Sequence, residues 1–185
     1  MSDIYPCSVV LAAHGSLESD NANEPLFELA EAIADSKLFA CVTPAFLNGR
    51  PSLTEVYGEL PPGDVVVIPV MTSEGYYSKT ILPGKIAENR AIAENKVISE
   101  YRTFWTPALG VHPDIAAAVA DRVLILTALM ELKPTDTTIV VVGHGTSRHP
   151  RSGDSTRQLA ANLGELIPEW RILTGFIDQE PSLAE

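Results

Sequence analysis

Residues 7–13 form a short run rich in valine and leucine, with no polar alternation, that stops at His14-Gly15-Ser16. Such a run suits a parallel strand buried on both faces. Asn21-Ala22-Asn23-Glu24-Pro25 reads as a helix start, with asparagine as cap and proline in the first turn. Leu26, Leu29, Ala30 and Ile33 share one face of the helix that follows. Residues 41–47 predict a second strand, ending at Asn48-Gly49. Ser52-x-x-Glu55 opens a short helix as a capping box, in which each side chain satisfies a free backbone N–H. Pro61-Pro62-Gly63-Asp64 makes a turn, and residues 65–70 predict a third buried strand.

A polar loop follows over residues 72–79, then a helix over roughly 80–94 and a fourth strand within 97–105. His112-Pro113-Asp114 starts a helix whose predicted stripe is Ile115, Val119, Val123, Leu126 and Met130. After a turn at Lys133-Pro134-Thr135-Asp136 comes a strand at 138–143. Ser155-x-x-Gln158 caps a helix carrying Leu159, Leu163 and Leu166, and a strand at 171–177 ends at Asp178. Alternating strands and helices predict an α/β fold with a mainly parallel sheet.

The pattern repeats itself. His144-Gly145-Thr146 closes an apolar run 130 positions after His14-Gly15-Ser16. At the same offset Phe46, Pro51-Ser52-Leu53 and Glu55 reappear as Phe176, Pro181-Ser182-Leu183 and Glu185. Residues 1–134 therefore read as a first half, and 135–185 as the truncated start of a duplicated second half. Counterparts exist for residues 9–55 and none for 65–105, so the natural product is expected to be longer. A helix opening at Ser182-x-x-Glu185 would otherwise stand unsupported.

Composition narrows the function classes. With 185 residues, 45% hydrophobic and 20% charged, the chain has the make-up of an ordinary soluble protein. No apolar run approaches the ~20 residues of a membrane span, and the start lacks a basic signal region. Cys7 and Cys41 form no metal or redox motif and are expected reduced, which makes the cytoplasm the default location. A net charge of −11 argues against nucleic acid. It also obliges any polyanionic small ligand to find local cations.

The chemistry-bearing residues are the two histidines. His14 and His144 are both predicted beyond the carboxyl ends of strands, where open α/β sheets bind ligands. The glycine after each lets the backbone turn and a ligand approach. Ser16 and Thr146 are placed to cap the next segment or orient the imidazole. Neutral imidazole takes up a proton or binds a borderline divalent metal. A histidine-phosphatase pattern would put arginine before His-Gly, where Ala13 and Gly143 stand.

Taken together, these segments resemble the CbiX/SirB-type class II tetrapyrrole metal chelatases. The resemblance is carried by His14-Gly15-Ser16, Ala45-Phe46-Leu47 with Pro51-Ser52-Leu53, and the strand Val65–Val70 leading to Gly75, Lys79 and Pro83. Leu109-Gly110-Val111-His112-Pro113 and the repeat at His144 and Phe176-Ile177-Asp178 extend it. The resemblance implies a chelatase-like fold: parallel sheets flanked by helices, two similar halves with the second incomplete, facing each other across a cleft. It implies insertion of Co²⁺ or Fe²⁺ into sirohydrochlorin for cobalamin or sirohaem synthesis, without redox, ATP or an organic cofactor.

His14 matches the family's active-site histidine and is the first candidate for metal ligand or proton acceptor; His144 matches its copy and is the second. Tyr77 stands where the family has a second histidine, and a neutral phenol, with pKa near ~10, is a poor base. Either Tyr77 contacts the ring, or the working centre has moved to the second half. Ser16, Arg50, Lys79, Thr146 and Arg148 are the expected substrate contacts, joined by Arg151 as a further strand-end cation. Glu74 is a candidate proton relay and His149 a further candidate ligand. The implied partner is the tetrapyrrole, with a homo-oligomer possible and no nucleic acid or membrane. The alternative function is a non-catalytic tetrapyrrole- or metal-binding protein on the same fold.

Overall fold

The computed structural model describes residues 5–18, 20–85, 102–147 and 150–183. Its central strand is β1 (Tyr5–Ala13), followed by helix α1 (Glu24–Asp35), β2 (Phe39–Phe46), α2 (Leu53–Glu59) and β3 (Asp64–Pro69). After a π-helical turn at Tyr77–Ile81 comes β4 (Arg102–Trp105). The four strands form one parallel sheet in the order β2-β1-β3-β4. Helix α3 (Pro113–Leu129), β5 (Thr138–Gly143), α4 (Asp154–Leu166) and β6 (Arg171–Phe176) complete the chain, with β5 and β6 paired in parallel.

β1 is apolar without alternation because both of its faces are covered. Val10 and Ala12 pack with Leu53, Val56 and Tyr57 of α2. Val9 and Leu11 pack with Leu26 and Ala30 of α1 and with Phe46. Pro44 lies within β2, which is an edge strand, where the missing N–H breaks no ladder bond to an outer neighbour. Ser52 caps α2 through the expected box, its hydroxyl accepting from the Glu55 N–H while Glu55 accepts from the Ser52 N–H.

Contacts divide the chain into two compact units, Met1–Leu109 and Gly110–Glu185. The packing boundary falls earlier than the boundary of the sequence repeat because α3 packs with α4. Ala120, Leu163, Ile167 and Trp170 form the second unit's core, flanked by Val119, Val123, Ile139, Val141 and Ile172. Val140, Val142 and Leu173, on the other face of β5 and β6, are exposed. Their neighbourhood contrasts with that of Val10 and Ala12, which lie under α2.

Several details depart from the pattern. Leu29 is exposed, and α1 turns Leu26, Ala30 and Ile33 inward. The buried side of α3 carries Ala116, Ala120 and Thr127, whereas Leu126 and Met130 are exposed. Helix α4 begins at Asp154 with Gly153 at its cap, so Ser155 lies inside the helix and Leu166 is exposed. Asn23 precedes α1 but makes no cap bond; its side chain is committed elsewhere. Helical structure begins at Tyr76, and the expected stretch beyond residue 85 lies outside the described residues. Among the described residues no helix is long and apolar enough to cross a membrane.

Candidate functional site

The two His-Gly segments have the same backbone. Ala13 pairs with Phe46 at the end of the β1–β2 ladder, and Gly143 with Phe176 at the end of β5–β6. Past these pairs, the Asn48 N–H donates to the His14 carbonyl at 2.7 Å, and the Asp178 N–H to the His144 carbonyl at 2.9 Å. Phe46 N–H donates to Pro51 O, and Phe176 N–H to Pro181 O, both at 2.9 Å. The Arg50–Pro51 and Glu180–Pro181 peptide bonds are both cis. Gly15 and Gly145 sit at φ +71° and +69°, a region closed to most side chains. A Cβ on Gly15 would also lie 2.6 Å from the Asn48 carbonyl oxygen. The duplication is therefore preserved in hydrogen bonds as well as in letters.

The side chains on this shared backbone differ. Asn23 ties the first loop, accepting from Ser16 N–H and donating to Ser16 O, both at 3.0 Å. Ser152 ties the second, accepting from Thr146 N–H at 2.9 Å and donating to Gln179 Oε1 at 2.7 Å, with Thr146 O at 3.2 Å. The larger difference lies beside the imidazoles. Asn48 Nδ2 is 3.4 Å from His14 Nδ1, which also lies 3.2 Å from the Gly15 carbonyl. At the corresponding place Asp178 Oδ2 is 3.3 Å from His144 Nε2. One histidine has a neutral amide as neighbour and the other a carboxylate.

The two rings consequently present opposite nitrogens. His14 uses Nδ1 locally, and among the described residues nothing hydrogen-bonds its Nε2. His144 places its Nε2 3.3 Å from the Asp178 carboxylate, an ion pair when the ring is protonated. Both imidazoles are exposed. Among the described residues no three His, Cys, Asp or Glu side chains are grouped to hold a metal ion. Each described site thus offers at most an imidazole and one acid.

Tyr77 does reach His14. Their ring centroids are 5.0 Å apart at 73°. Tyr76 lies 6.1 Å from Tyr77 at 71°. Ser78, buried beneath them, accepts from the Gly75 N–H at 3.0 Å and donates to the Gly75 carbonyl at 3.2 Å. Beside this turn, Glu74, Ser78, Lys79, Trp105 and Thr106 line an open pocket of about 230 Å³ at the carboxyl end of β4.

The expected substrate cations already have partners. Arg50 donates to Glu55 at 2.9 Å, Lys79 pairs with Glu74, and Arg151 pairs with Asp154 at 3.1 Å. Arg148 and His149 lie outside the described residues. Asn48, Asp178 and Arg157 were not singled out by sequence. Arg157 sits 4.8 Å over the Phe176 ring and donates to the Glu180 carbonyl at 3.1 Å. The signal for Asn48 and Asp178 was present: they are the unlike residues inside a matched frame.

The family model described as CbiX matches residues 8–125. A "probable sirohydrochlorin cobaltochelatase" of Halobacterium salinarum is 25% identical over 192 aligned residues, covering 95% of this chain. The chain spans 65% of that relative's length. Among solved structures, SirB from Bacillus subtilis with Fe³⁺ superposes with a TM-score of 0.80 at 16% identity, over 97% of this chain and 69% of that one. A multi-domain protein of Deinococcus radiodurans with structural similarity to chelatases gives 0.74 at 23% identity, over 96% of this chain and 39% of that one. These likenesses establish the chelatase-like α/β fold.

Proposed function

The chain belongs to the CbiX family, and from that premise we propose that it inserts Co²⁺ or Fe²⁺ into sirohydrochlorin. The observation that carries the reading is the duplicated His-Gly turn, with an exposed imidazole at the carboxyl end of each first strand. Metal insertion is a substitution without redox change. The divalent ion enters the ring, two inner N–H protons leave, and the macrocycle nitrogens become four metal ligands. An accessible imidazole serves either half of this exchange, as transient ligand or as proton acceptor. No ATP or organic cofactor is required by that balance.

In this proposal His14 and His144 are the ligand or base residues, and His144 is the better equipped of the two. Asp178 sets a carboxylate 3.3 Å from its Nε2, whereas Asn48 gives His14 no charge to lean on. Ser16 and Thr146 hold the two turns through their backbones. Arg50 and Lys79 would meet the substrate carboxylates by exchanging their present partners, Glu55 and Glu74. Location in the cytoplasm is part of the same proposal and agrees with two free cysteines.

A second reading, a non-catalytic binder of tetrapyrrole or metal, is favoured by one observation: tyrosine 77 stands next to His14. Visible absorbance of sirohydrochlorin with Co²⁺ separates the two. A chelatase converts the spectrum catalytically; a binder shifts it once, in proportion to protein. Within a chelatase, His144→Ala should abolish insertion and His14→Ala should weaken it. Full activity in His144→Ala would overturn the assignment to the second half.

A further inference from the structure

We propose that Tyr77 is a stacking platform for the flat face of the macrocycle, with Tyr76 bordering it edge-on, and that Tyr77 acts through its ring, not its hydroxyl. The inference rests on the chelatase reading for the identity of the ligand. Its evidence is local to the first unit. Tyr76 is 66% exposed and Tyr77 49% exposed, although they are adjacent and large. Adjacent exposed rings form an apolar patch of the kind that serves as a binding surface, and an aromatic face favours stacking with another π-system.

The outward posture is built in by the backbone. Ser78 is buried and bonded in both directions to Gly75, and the Lys79 N–H donates to the Gly75 carbonyl at 2.9 Å. The Leu82 N–H reaches back to the Tyr77 carbonyl, which makes this a π-helical turn. Turns of that type recur at functional sites. Among the described residues no side chain hydrogen-bonds the Tyr77 hydroxyl, so none of them prepares it as a base or ligand.

The ring angles fit a planar ligand. Neither contact of Tyr77 is a parallel stack; both are close to perpendicular, at 73° and 71°. A macrocycle lying flat on Tyr77 therefore meets the His14 ring edge-on. An imidazole carries its lone pairs in its own plane. Edge-on presentation sets the imidazole plane, which holds that lone pair, across the macrocycle and not parallel to it. Tyr77 thus offers its face to the macrocycle, and Tyr76, at 71° to it, offers an edge.

The test titrates metal-free sirohydrochlorin into the wild-type chain and into Tyr76→Ala, Tyr77→Ala and Tyr77→Phe, read by visible absorbance. Co²⁺ insertion kinetics are run on the same four proteins. The platform predicts that each alanine variant raises Kd and KM about 3- to 10-fold, with kcat little changed, and that Tyr77→Phe restores what Tyr77→Ala loses. A kcat lost equally in Tyr77→Phe and Tyr77→Ala overturns it in favour of hydroxyl chemistry. Unchanged Kd and KM in both alanine variants overturn it while leaving a working chelatase. A wild-type chain that binds the ring without inserting metal sinks the chelatase reading alone, and weaker binding in the alanine variants then still supports the platform. A wild-type chain that does not bind the ring overturns both.

Discussion

Replacing Gly15 by alanine tests the turn that presents His14. At φ +71° a side chain costs roughly 1–2 kcal/mol from backbone sterics alone. The added Cβ would stand 2.6 Å from the Asn48 carbonyl oxygen, where ordinary contact begins near 3.4 Å, so the carbonyl must retreat by about 0.8 Å. Phe46, at 2.8 Å on the other side, is buried and offers no slack. Moving Asn48 stretches its 2.7 Å bond to the His14 carbonyl, a further loss of about 1 kcal/mol. The sum is about 2–3 kcal/mol, or roughly 10–20 °C in Tm for a unit of this size. Urea and thermal unfolding followed by circular dichroism measure it. Gly58→Ala is the matched control: it lies in α2 with nothing within 4 Å of the new Cβ, and should gain about 0.5–1 kcal/mol. If Gly15→Ala melts with the wild type, or if both variants move together, the account of the turn is wrong.

Ser52→Ala removes the α2 cap and should lower stability by about 1 kcal/mol in urea melts near neutral pH. The hydrogen bonds from Ser52 hold the Glu55 carboxyl below its ordinary value. A lowered carboxylate stabilises the fold above the unfolded value, and that contribution is lost as pH falls through the folded one. The gap between Ser52→Ala and wild type should therefore narrow in acid, and a gap that widens there would contradict the box. Asp178→Asn gives His144 the amide neighbour that His14 already has, and should slow metal insertion about 10- to 100-fold. Equal rates would remove Asp178 from the site. Burial pushes the Cys41 thiol up, so alkylation of Cys41 at pH 8 should lag behind a free thiol; parity would show that the strand opens.

The parallel sheet and the duplication were readable from the chain because β1 and β5 are apolar runs closed by the same two letters. The capping box was readable because Ser52 and Glu55 act within three residues of each other. The inward stripe of α3 was legible in part: Val119 and Val123 flank the core, whereas Leu126 and Met130 are exposed. That helix carries leucine, isoleucine and alanine on every side, and the packed face uses Ala116 and Ala120, whose small size lets a neighbour come close. The π-helical turn was also hidden, since it follows from the Leu82 N–H reaching the Tyr77 carbonyl and not from periodicity. Arg50 and Lys79 were legible as strand-end cations, but not their engagement with Glu55 and Glu74, which is a matter of reach in space. The contrast between Asn48 and Asp178 needed the fold to show that each sits against an imidazole.

Because the Phe46–Ser52 and Phe176–Ser182 segments close through the same backbone bonds, each can change its outward side chains without disturbing the strands beneath. The two sockets share a backbone and carry unlike heads, one amide and one acid. Protein engineers could exploit that likeness: the seven-residue segments should transplant between sockets, carrying their chemical polarity with them.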